Sequence, residues 1–252
     1  YPAIDDRGTR SAAGGFIEWT WDGLGLFGFA PELWDIEGRA GIEGRWQGPW
    51  HTKDQTEEEG LKLLHWLDEN LGGEGFERWR PFDHPQLGPV ELGGWHTKTV
   101  RQNAPPRFLE EECAKVHQFV LRQALITPRV RIAKAETEAV AADLTIVRVT
   151  VENESFLPTN ISQKAVNLGV AKPVTIELAG EQTAILLGEP KQTLGHLEGR
   201  AQAVGAAFWG PGVLKNEARA EWLVRGTGTV TVTVKSEKGG TTTRELALGQ
   251  TT

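Results

Sequence analysis

The chain has 252 residues, with 27 Lys and Arg against 34 Asp and Glu for a formal net charge of −7, and is 39% hydrophobic and 24% charged. That is globular composition, long enough for one large domain or two smaller ones, and it excludes collagen-like, coiled-coil and disordered chains. No run approaches the roughly 18–20 consecutive apolar residues of a membrane span, an acidic balance without a Lys/Arg stripe argues against nucleic-acid or anionic-membrane partners, and the single cysteine excludes an internal disulfide, a Cys-based zinc finger and an iron–sulfur site. The chain also has no methionine and opens on Tyr1 without a basic start or an apolar signal core. The expectation is a soluble chain whose beginning belongs to a longer polypeptide, with its compartment left open.

Eight of the ten tryptophans (Trp19, Trp21, Trp34, Trp46, Trp50, Trp66, Trp79, Trp95) precede residue 100, where packing in a core or cleft wall is favoured over a sugar platform. The first informative stretch is Gly14-Gly15-Phe16-Ile17-Glu18-Trp19, followed by Leu26-Phe27-Gly28-Phe29-Ala30-Pro31-Glu32-Leu33-Trp34-Asp35. The glycine pair predicts a turn or helix start, and the apolar run predicts a buried strand delivering Glu32 at its end, against Phe29 and Trp34. A carboxylate so placed is a candidate for acid–base work, although on physics alone a strand-end salt bridge is the favoured reading.

A helix is predicted over Thr56–Asn70: Thr56 caps it, Glu57–Glu59 suit its positive end, Leu61, Leu64 and Leu71 supply a face, and Gly72-Gly73 ends it. His65 and Asp68 share a face of that helix, and His51 and Asp54 repeat the spacing, but neither pair alone makes a metal site. From Trp79 to Trp95 the chain reads as a Pro- and Gly-rich loop of functional length, with His84 bonding a local carbonyl. A second helix, about Pro106–Leu125, carries the apolar stripe Leu109, Cys113, Val116, Val120 and Ala124. Cys113 on that stripe reads as a small core residue, with His117 one turn on suggestive only by spacing.

The first 127 residues hold 13 basic and 21 acidic side chains, and the remainder 14 and 13, so a boundary is placed near Thr127-Pro128, giving domains 1–127 and 128–252. Beyond it, period-two runs at Val130–Ile132, Leu144–Val151, Val174–Leu178, Ala184–Leu187, Glu221–Val224, Val230–Val234 and Thr241–Leu248 predict an antiparallel β-sandwich of fibronectin or immunoglobulin-like class. The N-x-S triplets at Asn153 and Asn160 carry no weight, and Gly210-Pro211-Gly212 is a turn.

Gly-Gly-x-Ile-Glu-Trp, a short spacer and Phe-x-x-Glu-Leu resembles the C-terminal signature of carboxypeptidase A-like zinc metallocarboxypeptidases, and Trp79–Trp95 is similar to a segment of a bacterial branch. The resemblance covers about residues 1–127. It implies the C-terminal part of an α/β catalytic domain with a mixed sheet, the helix Pro106–Leu125 being its last, followed by the appended sandwich. It also implies a zinc-dependent hydrolase acting on a peptide or protein C-terminus. Glu32 falls on the glutamate that takes a proton from the metal-bound water and passes it to the leaving amine. Ile17 falls on the position that sets preference for the substrate's terminal side chain, and an isoleucine there implies an apolar one. Glu18 stands where the family has aspartate, and the family's mobile tyrosine would fall on Arg10. No histidine begins a His-x-x-Glu pair, so the zinc ligands are expected upstream of Tyr1 and this chain alone is expected to be inactive. The rival expectations are a non-catalytic protein that grips a glycan or a protein, and a degenerate carboxypeptidase scaffold.

Overall fold

The computed structural model describes residues 15–42, 56–200 and 215–249. Tyr1, Arg10, Gly14, Trp46, Trp50, the pair His51/Asp54 and the turn Gly210-Pro211-Gly212 lie outside the described residues. The described residues form a mixed structure, with helices and three antiparallel sheets. It divides into two units: 30–42 and 56–120 form the first, and 15–29, 121–200 and 215–249 the second. The division falls inside a helix at Val120/Leu121, upstream of the change in composition at Thr127-Pro128, and assigns 15–29 to the second unit.

Helix α1 (Phe16–Glu18) continues as a π-helical turn over Trp19–Gly23, and α2 (Ile36–Arg39) is capped by the Asp35 carboxylate, which accepts from Gly38 N at 2.8 Å. Helix α3 (Glu57–Leu71) starts on the predicted cap: Thr56 Oγ1 accepts from Glu59 N at 3.2 Å, and Thr56 N donates back to Glu59 Oε2 at 2.9 Å. Its fully buried face is Leu63, Trp66 and Leu67; of the predicted face, Leu64 and Leu71 are partly buried against the same core and Leu61 is exposed. Trp66 sets the rotation, because its ring meets Trp34 at 6.0 Å and Phe108 at 5.6 Å between centroids.

Residues 79–95 are not a loop. They belong to a hairpin of β1 (Phe76–His84) and β2 (Gly88–Trp95), registered from Phe76↔Trp95 to His84↔Gly88 with an irregularity between Glu77 and Arg80. Pro81 is tolerated because each strand of a two-stranded sheet is an edge. At the turn, His84 Nδ1 accepts from Gln86 N and Leu87 N, both at 3.2 Å, so this histidine takes amide protons instead of bonding a carbonyl. A second π-helical turn, Thr97–Arg101, leads to α4 (Pro106–Ile126). The predicted stripe of α4 is largely exposed, including Leu109, Val120 and Cys113. The side of α4 that packs carries Phe108 and Glu112, so Cys113 is not a core residue.

Among the described residues, the first unit's buried core is Trp34, Ile36, Ile42, Leu63, Trp66, Leu67 and Val100. Over it lies a charge network. Arg39 sits 5.0 Å from the ring centres of both Trp34 and Phe108, and its Nη2 reaches Glu112 at 2.5 Å and Glu111 at 3.1 Å. Lys115 adds 3.1 Å to Glu112 and 2.5 Å to Glu111. Burial works against the Arg39 charge, but Glu112 and Glu111 outweigh it and its pKa is raised.

In the second unit β3 (Val130–Ala141), β4 (Leu144–Asn153), β8 (Glu217–Gly226) and β6 (Thr183–Leu187) form one sheet, in that order. The other is β10 (Gly240–Ala247), β9 (Thr229–Ser236), β5 (Val174–Gly180) and β7 (Lys191–Gly195). All seven predicted strands are present, and β7 and the short α5 (Gln163–Asn167) are additional. Alternating residues of both sheets, among them Val147, Val149, Ile176, Trp222, Val232 and Val234, share one core. Asn153 is buried with its amide fully used: Oδ1 accepts from Arg129 N and Ser155 N, and Nδ2 donates to the carbonyls of Leu157 and Glu198. No described helix is long and apolar enough to cross a membrane.

Two predictions follow from this packing. Glu112→Ala strands Arg39 over the aromatic rings and lowers stability in urea unfolding by about 3 kcal/mol, whereas Glu111→Ala at the exposed end leaves the unfolding midpoint close to wild type. His196, whose Nδ1 is buried with no hydrogen-bond partner among the described residues, has its pKa lowered by burial and then by Lys238. The unfolded chain therefore binds this proton first: the stability associated with neutral His196 is complete above about pH 6.5 and falls as the pH drops below it. His196→Gln should flatten a thermal-stability profile between pH 7 and 5.

Candidate functional site

The residues singled out by sequence fall in two places. Ile17 and Glu18 belong to the second unit and Glu32 to the first.

Segment 15–29 is a hook. Gly15 opens α1, and its N–H donates to Glu18 Oε2 at 3.2 Å, so the Glu18 carboxylate works as a local cap. Thr20 is buried and donates to the Ile17 carbonyl at 2.8 Å. The chain then turns back over it: Gly25 N donates to Trp21 O at 3.0 Å and Leu26 N to Thr20 O at 2.9 Å. Gly28 crosses the turn so closely that a Cβ there would lie 2.2 Å from Thr20 Oγ1. Trp21 stacks on Phe27 with centroids 5.8 Å apart, and Phe16 meets Trp19 at 6.3 Å. Ile17 stands about half exposed beside these rings.

The expected buried strand does not form. Leu26–Asp35 lies outside any helix or ladder, Phe27, Phe29 and Leu33 are each nearly half exposed, and Glu32 is exposed. The physical reason is pairing: a strand is held by its neighbours, and among the described residues none runs beside this segment. For the same reason the mixed sheet of the expected α/β domain is not built from the described residues of the first unit, whose only sheet is the β1–β2 hairpin. What fixes the segment is its end. Two residues after Glu32, the Trp34 ring enters the core and its Nε1 donates to Val100 O at 2.6 Å.

The remaining candidates do not converge. His65 and Asp68 are exposed on α3, and among the described residues no three His, Cys, Asp or Glu side chains could hold a metal ion. Trp19, Trp21 and Trp79 are exposed whereas Trp34, Trp66 and Trp222 are buried. Sequence reasoning missed Ser162 and Lys164. These two side chains meet the hook at Gly25 and Asp22, across sequence separations of 137 and 142 residues, so no local pattern marks them.

A family model described as a domain of unknown function, DUF8731, matches residues 129–247, which is the two-sheet part of the second unit. No curated protein matches the chain.

The anchor of the Glu32 segment is testable in isolation. Trp34→Phe replaces the indole with a smaller ring and removes the N–H, leaving the Val100 carbonyl unpaired in a buried place. Unfolding in urea should show a loss of about 1–2 kcal/mol.

Proposed function

We propose that this chain is the C-terminal portion of a zinc-dependent carboxypeptidase, with Glu32 as its proton carrier. The observation that carries the reading is the residue order Gly15-x-Ile17-Glu18-Trp19 and then Phe29-x-x-Glu32-Leu33, joined to an exposed Glu32 two residues before a buried anchor. Exposed apolar surface supports it. Phe27 and Leu33 are each nearly half exposed on an extended segment, and Leu109, Val120, Leu121 and Leu125 are exposed on α4. Such surfaces suit the strands and helices of the rest of a catalytic domain, supplied from upstream of Tyr1. For the second unit we propose an immunoglobulin-like sandwich: the order β3-β4-β8-β6 opposite β10-β9-β5 corresponds to A-B-E-D opposite G-F-C, with β7 added at the edge beside β5.

In this reading the substrate is the C-terminal peptide bond of a peptide or protein. Zinc, held by ligands outside this chain, supplies Lewis-acid polarisation of water and carbonyl. The Glu32 carboxylate takes one proton from the attacking water and gives it to the amide nitrogen as the C–N bond breaks, ending ionised as it began. Ile17 meets the terminal side chain, and Glu18 holds the turn that presents it.

A second reading, a binding protein for glycans or proteins, is favoured by the exposed ring pairs Phe16/Trp19 and Trp21/Phe27. It predicts retention on immobilised polysaccharide, reduced by Trp19→Ala and indifferent to Glu32. The carboxypeptidase reading predicts instead that Glu32→Gln in the full-length parent lowers kcat by at least about 10²-fold with little change in KM. Near-normal turnover removes Glu32 from the mechanism.

A further inference from the structure

We propose that the C-terminal unit is the scaffold on which the substrate-facing hook is built, with Ser162, Lys164 and Ala165 as positioning residues for Ile17 and Glu18. This rests on the carboxypeptidase reading for what the hook faces, and on the geometry alone for what holds it.

Three contacts of different kinds converge on the inner side of the hook. The Ser162 hydroxyl, which is buried, donates to the Gly25 carbonyl. Gly25 has φ +62° and lies directly on the backbone of Ala165, where a Cβ would come within 2.4 Å of Ala165 N and 2.5 Å of its Cα. The Lys164 ammonium pairs with the Asp22 carboxylate and stands 5.1 Å from the centre of the Trp21 ring, the ring that stacks on Phe27. Hydrogen bond and backbone contact therefore hold the turn at Gly25, and the cation holds it at Trp21 and Asp22.

The seat itself is rigid. Ser162 Oγ also accepts from Ala165 N at 3.1 Å, capping α5, and Asn160 Nδ2 donates to Ser162 O at 3.1 Å. Ile161 is held at φ 64°, a conformation that costs a β-branched residue energy and persists only where its surroundings impose it. Upstream, Thr159 is tied to Leu197, its N–H donating to the Leu197 carbonyl at 2.9 Å and its Oγ1 accepting from Leu197 N at 2.8 Å. A turn fixed at Gly25 and Asp22 fixes the short helix that precedes it, because Thr20 joins the two through the Ile17 carbonyl and Leu26 N. The appended unit thereby sets where Ile17 stands, and a displacement of about 1 Å at a substrate-orienting group is enough to change turnover or binding strongly.

Two measurements test this. In the 252-residue chain, Ser162→Ala and Gly25→Ala should speed hydrogen exchange of the amides from Trp19 to Leu26 at least about ten-fold, leaving β4 and β9 protected, while Lys164→Arg stays near wild type. In the full-length zinc-loaded parent, Ser162→Ala and Lys164→Ala should raise KM for a substrate with an apolar terminal residue about five- to ten-fold. The preference over an acidic terminus should narrow while kcat stays within about two-fold, and Lys164→Arg should restore both. Unchanged exchange in both Ser162→Ala and Gly25→Ala overturns the scaffold. An active parent whose KM and preference ignore Ser162 and Lys164 overturns the positioning role and leaves the carboxypeptidase reading standing. A wild-type parent that hydrolyses no C-terminal bond overturns that reading and the positioning role with it, and the exchange result alone then decides whether the scaffold holds.

Discussion

Glu112 is the only charged side chain among the described residues to be buried, and the first unit is arranged around it. A carboxylate withdrawn from water is tolerated only with its charge answered, and Arg39 and Lys115 answer it from two sides. Arg39 does so by lying against Trp34 and Phe108, and Trp34 in turn touches Trp66. One ion pair thus ties α2, α3 and α4 to the core that Trp34 and Trp66 share. Because Trp34 also ends the extended segment, the place of Glu32 follows from this same contact.

The second unit rests on a different constraint. Its strands alternate residue by residue, so each sheet buries one face and the two faces share a core that includes Trp222. Such a core is continuous, and the loops at its ends can carry strain and buried polar groups. Asn153 with four hydrogen bonds, Thr159 with Leu197 and Ile161 in a left-handed conformation are all in this category. They make a firm platform from irregular chain, and the platform is where segment 15–29 docks.

Ile17 and Glu18 are organised separately from Glu32. The apolar and cap positions of α1, Ile17 and Glu18, are organised by contacts inside the second unit, whereas Glu32 is organised by Trp34 in the first. The segment from Gly15 to Leu33 runs unbroken in sequence across that division, and its two parts answer to separate cores.

Local chemistry alone determined a good deal. The cap at Thr56, the acidic first turn of α3, the start of α4 at Pro106 and seven strands after Thr127 were all legible, because caps and hydrophobic periods act within a few residues. Faces were less legible: Leu61 and Cys113 have the right spacing for a core, yet Trp66 and the Arg39–Glu112 pair turned other faces inward. Only tertiary structure decided that Leu26–Leu33 has no ladder, that 76–95 is a hairpin, and that Ser162 and Lys164 hold the hook. Each depends on a partner far along the chain, and the free energy of such a contact resides in neither sequence segment by itself.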